Sequence, residues 1–111
     1  MIRIRVRKNS GHIAQFQVDG HAGYGEYGQD IVCAAVSAIV ISSINGLILH
    51  AEIDPECEQA EGHVSCNVNP DKSWSDLKWA VVDGILNTMV SGLDSIKDQY
   101  PKAVSIVIED I

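Results

Sequence analysis

The segment Gly20–Ser37, GHAGYGEYGQDIVCAAVS, carries the strand-to-helix joint on which the fold turns. A strand ends at His21, glycines follow, and at Asp30 the sequence changes to a long apolar run with Cys33 in its first turn. Four of the nine glycines, Gly20, Gly23, Gly25 and Gly28, lie here, which marks backbone that must take unusual dihedrals or move. Asp30 is a good N-cap residue, so the helix is expected over residues 30–51 with Cys33 near its third position. This helix is nearly all apolar from Ile31 to Leu49, so it must be covered on more than one side.

Working outward from the joint, residues 2–7 alternate apolar and basic, as a half-buried strand does, and Asn9-Ser10-Gly11 supplies a turn. Residues 12–18 return as a second strand, with Ala14, Phe16 and Val18 on one face and Gln15 and Gln17 on the other. Beyond the first helix, residues 52–58 and 63–69 read as a hairpin about Glu61-Gly62. A two-residue turn there sets Cys57 opposite Cys66. Ser73 and Asp76 resemble a capping box for a second helix reaching Gln99, with a core stripe of Trp74, Leu77, Val81, Ile85, Met89, Leu93 and Ile96. Trp79, Val82, Leu86 and Val90 add a second apolar flank. Pro101 stops this helix, and residues 104–109 form a last strand. The expected fold is α+β: a small antiparallel or mixed sheet with two helices, in the order strand-strand-helix-strand-strand-helix-strand, within a single domain spanning 1–111.

Charge narrows the function. The net charge is -7, and all eight Lys and Arg lie in residues 3–8 or from Lys72 onward. Between Asn9 and Asp71 there are nine acidic residues and no basic one. Phosphate-backbone binding through the centre is therefore disfavoured, and a basic partner fits better, although the same acids can simply solvate a surface. Residues Met1–Lys8 are basic with no apolar core after them, so a cytoplasmic protein is expected rather than a secreted one. The uncharged run from Ile31 to Ala51 is long enough for a bilayer. Its serines, Asn45, Gly46, His50 and acidic flanks favour a core helix over a membrane span.

A cysteine at a helix N-terminus meets free N–H groups and a partial positive charge, both of which stabilise a thiolate. His21, across the glycine segment, is the candidate base, and the first-turn amides could hold an oxyanion. Asp30 would cap the helix or orient His21, and Ser37, one turn on from Cys33, would touch substrate or pack. The plain alternative is that Cys33, between Val32 and Ala34, is core, and on spacing alone that alternative stands. Cys57 and Cys66 are expected to stay reduced and partly buried, with no assigned chemistry, and no cofactor or metal site is indicated.

GHA at 20–22 with DIVCAAVS at 30–37 resembles the ribosomal-processing cysteine protease family (Prp), and the likeness extends over the chain's length and element order. The resemblance implies that His21 and Cys33 form a catalytic dyad and that Ala22–Gln29, with Gly23, Gly25 and Gly28, gates the site next to Gly20. It implies removal of a short N-terminal extension from a large-subunit ribosomal protein, a basic precursor as partner, and a homodimer. The competing expectations are a non-catalytic ribosome-associated binding or assembly factor using the same segment, and a thiol redox sensor at Cys33.

Overall fold

The computed structural model describes residues 1–23 and 30–111. Strands β1 (Ile2–Asn9) and β2 (His12–Asp19) form a hairpin, followed by helix α1 (Ile31–Leu49). A second hairpin, β3 (Glu56–Ala60) and β4 (His63–Asn67), precedes helix α2 (Asp76–Gln99) and strand β5 (Val104–Asp110). The order is the one read from the sequence. The sheet is mixed, in the order β3-β4-β2-β1-β5, antiparallel throughout except for the parallel β1–β5 pair.

Alternation decides the faces. Ile2, Ile4 and Val6 of β1 and Phe16 and Val18 of β2 are buried together, while Arg3 and Arg5 stand on the wet face. Arg7 reaches Glu109 of β5 at 2.9 Å, a half-exposed pair that adds little stability. Both residues of the β1–β2 turn, Ser10 and Gly11, have positive φ, which matches the right-handed twist of the hairpin. Between Arg7 and Lys8 the register shifts, skipping Ala14, so Ile13 and Ala14 are both buried. In the second hairpin Cys57 pairs with Cys66, as the two-residue turn requires.

The helices correct the reading in detail. The N-cap of α2 is Ser75, whose hydroxyl accepts from the Lys78 amide at 3.1 Å, and not Ser73. Ser73 is held instead in a turn by the Asp71 carboxylate, which accepts its amide at 2.9 Å. The buried residues of α2 come from both expected stripes, Val82 and Leu86 from the second flank and Met89 and Leu93 from the core stripe, while Leu77 is 76% exposed. Trp74 precedes the helix and packs partly buried against the core with its ring edge toward Trp79, centroids 4.8 Å apart.

Helix α1 is long and apolar enough to cross a bilayer, yet Val32, Val36, Val40, Ser43 and Leu47 are buried within the fold. It meets α2 at small residues. A β carbon on Gly92 would lie 3.0 Å from Ile39 Cδ1, and one on Gly46 3.6 Å from Ile85 Cδ1. Ser43 satisfies its buried hydroxyl on the Ile39 carbonyl at 2.7 Å.

Candidate active site

Asp30 opens α1 as its N-cap, with its carboxylate accepting from the amides of Val32 at 3.0 Å and Cys33 at 3.1 Å. The following residue's amide, Ala34, is bonded to the Asp30 carbonyl. This is what an aspartate does at a helix start, and it turns Cys33 toward the end of β2. There the amide of Ala22 donates to Cys33 Sγ at 3.2 Å. Ala22 directly follows His21, so residues 21 and 22 arrive at the cysteine as one unit.

Two glycines fix that arrival. Gly20 has φ +98, and a β carbon there would sit 2.3 Å from the Met1 carbonyl oxygen, so only glycine fits beside the start of β1. Its amide donates to the Gly62 carbonyl at 2.9 Å, tying the end of β2 to the turn of the β3–β4 hairpin. Gly62, with φ +67, lies against the His21 ring: a β carbon would be 3.0 Å from Nε2. His21 is exposed, and its ring rests on a surface without a side chain.

A cleft of about 580 Å³ runs between the start of α1 and this hairpin. Gly20, His21, Gly23, Asp30, Cys33 and Ser37 all line it, so distant sequence positions become one site. Gly25 and Gly28, and most of the expected gating segment, lie outside the described residues. His63 also lines the cleft, although nothing in its local sequence marks it out. It faces Asp19 in the β2–β4 register and bonds that carboxylate through Nδ1. Gln17 donates to the other Asp19 oxygen at 2.6 Å. These bonds, from His63 first and Gln17 second, hold the Asp19 carboxyl below its usual value. Only the pairing of β2 with β4 brings His63 here, and no local pattern encodes that pairing. Among the described residues no group of three or more His, Cys, Asp or Glu converges to hold a metal ion.

The electrostatics of Cys33 run against a resting thiolate. Partial burial raises its pKa above the ordinary 9.0, and the bonded and charged Asp30 raises it further, outweighing the Ala22 amide, which lowers it. The expected helix amides are also taken, because Val32 and Cys33 donate to Asp30. The amide directed at the sulfur comes from the loop, not the helix. At rest Cys33 is a thiol, so a base is needed to activate it.

Residues 1–105 match the profile of the family described as Cysteine protease Prp. A Ribosomal processing cysteine protease Prp of Staphylococcus aureus is 31% identical, with 96% of this chain and 97% of that protein covered. The protein of the same name from Bacillus subtilis is 39% identical over half of each chain. In three dimensions the chain resembles the S. aureus protease crystallised with a covalently linked product peptide, at TM-score 0.85 and 30% identity, covering 97% of this chain and 99% of that one. A second structure, the S. aureus protease with a substrate peptide, matches at TM-score 0.79 and 29% identity over 97% and 99%.

Proposed function

The chain belongs to the cysteine protease Prp family and is a cysteine peptidase, and from that premise we propose that Cys33 is its nucleophile and His21 its general base. The observation that carries this reading is the shared cleft, in which the residue after His21 already holds the Cys33 sulfur at 3.2 Å. Because Cys33 rests as a thiol, His21 takes its proton as the sulfur attacks the scissile carbonyl, and the imidazolium then protonates the leaving amine. Water, deprotonated by His21, hydrolyses the thioester. The Ala22 amide moves from the sulfur to the developing oxyanion, and the helix dipole assists from below. Asp30 holds the helix start in place, while Ser37 and Gly23 contact the peptide along the cleft. The segment 22–29 takes the gating role.

The substrate is the basic N-terminal extension of a large-subunit ribosomal protein, and the enzyme acts in the cytoplasm as a homodimer. What supports the substrate is the family relation together with the acidic residues lining the cleft, Asp30 and Glu61. What supports association is the apolar surface of α1, where Ile48 and Leu49 are 47% and 70% exposed. The test is incubation with the extended precursor: wild type releases the extension, Cys33→Ala none, and His21→Ala falls by at least about a hundredfold. Cleavage by Cys33→Ala at the wild-type rate overturns the assignment. Binding of precursor without cleavage by wild type would instead identify an assembly factor.

A further inference from the structure

Outside the cleft, the chain carries a second pair of nucleophilic groups. Cys57 and Cys66 face each other across the β3–β4 hairpin, one exposed and one buried at 3% exposure. Their position in the ladder matters. Ala60 and His63 close the two-residue turn, and in an antiparallel pair hydrogen-bonded and non-hydrogen-bonded positions alternate. Counting outward, 60–63, 58–65 and 56–67 are hydrogen-bonded, so 57–66 is a non-hydrogen-bonded pair. In such pairs the α carbons approach to about 4.5 Å and the side chains are nearest, inside the roughly 4.4–6.8 Å span that a disulfide bridges. Burial, with Cys57 beside it, pushes the Cys66 thiol above the ordinary range, which leaves the exposed Cys57 as the member that meets peroxide.

We infer that Cys57 and Cys66 form a reversible oxidation site, in which peroxide converts the thiol pair to a cross-strand disulfide. Cys57, the exposed member, attacks the peroxide O–O bond to give a sulfenic acid and water. The Cys66 sulfur then attacks the Cys57 sulfur, the S–O bond breaks, and the departing hydroxide takes the Cys66 proton to leave as a second water. Two thiols and one hydrogen peroxide give one disulfide and two waters; sulfur is oxidised and peroxide reduced. A thiol reductant reverses it.

The bond has a structural consequence. β3 is the outermost strand, joined in the sheet to β4 alone, and its residues are exposed along its whole length. Its turn carries Gly62, which receives the Gly20 amide and supports the His21 ring. A disulfide fastens the free edge without shifting that turn, and so protects the wall of the cleft under oxidation. Cys33 lies on α1 and the Cys57–Cys66 pair spans β3 and β4, so this site is independent of the nucleophile.

The test uses the full chain with Cys33→Ala, so that only these two thiols remain. It is treated with a slight excess of hydrogen peroxide, unfolded in an alkylating agent, and mapped by mass spectrometry. The expected product has lost two hydrogens, takes up no alkyl group, contains a Cys57–Cys66 cross-linked peptide, melts a few degrees higher, and reverts with thiol reductant. Alkylation of both cysteines after peroxide overturns the proposal, as do Cys57 sulfinic acid beside a free Cys66 and dimers linked through Cys57. Should Cys33→Ala fold poorly, the same peptide map on the wild-type chain decides, with Cys57→Ser as the control that must not lose two hydrogens.

Discussion

Asp30 settles a small electrostatic conflict at the start of α1. Its carboxylate secures the helix by accepting two amides, and the same negative charge opposes the formation of a Cys33 thiolate. Substitution can separate these effects, because asparagine caps as well as aspartate and carries no charge. In Asp30→Asn the rate of Cys33 alkylation should reach its midpoint at a lower pH than in wild type, with the melting temperature nearly unchanged. Asp30→Ala should also ease ionisation but lose about 1 kcal/mol of stability with the cap. The sign follows from the shift: Cys33 is raised above 9.0, so thiolate gathers only at alkaline pH, and removing a cause of the rise moves its onset down. Identical alkylation profiles in wild type and Asp30→Asn would show that the carboxylate does not reach the sulfur. The cap itself was legible from one residue type before an apolar run. The cost to the thiol was not, since it depends on burial and on where a side chain points.

At the scale of elements, the second helix shows how far periodicity goes. Apolar residues at spacings of three and four establish that α2 exists and that it is amphipathic. They do not choose between two adjacent stripes, because a start displaced by two residues leaves the period unaltered. Ser75, not Ser73, caps the helix, and the buried face draws Val82 and Leu86 from one stripe and Met89 and Leu93 from the other. Truncation distinguishes buried from exposed positions directly. Leu86→Ala, at a position with 0% exposure, should cost about 2–5 kcal/mol. Leu77→Ala, at 76% exposure, should fall within roughly 0.5 kcal/mol of wild type. Urea unfolding of the two variants measures both, and a larger loss at Leu77 would reverse the assignment of the buried face.

For the whole molecule, the decisive event is the closing of the sheet between hairpins. β2 pairs with β4, and at the end of that ladder Asp19 meets His63 on the rim of the cleft. The Asp19 carboxyl titrates below its ordinary 3.8, so its contribution to stability is present above that value and is lost as pH falls through the lower, folded one. Acid unfolding followed by circular dichroism should therefore be less steep in Asp19→Asn than in wild type below about pH 4; superimposable curves would remove the pair from the acid response. Taken by itself, the sequence determined the element order, the turns at Asn9-Ser10-Gly11 and Glu61-Gly62, the apolar faces of β1 and β2, and His21 and Cys33 as the residues to watch. Those features rest on interactions between near neighbours, for which period, capping and turn chemistry suffice. The tertiary structure alone decided that His21 rests on Gly62, that the Ala22 amide and not the helix amides is directed at the sulfur, and that His63 joins the rim. Each of these joins segments far apart in the chain, and what brings them together is the burial of one shared sheet face, which no local stretch encodes.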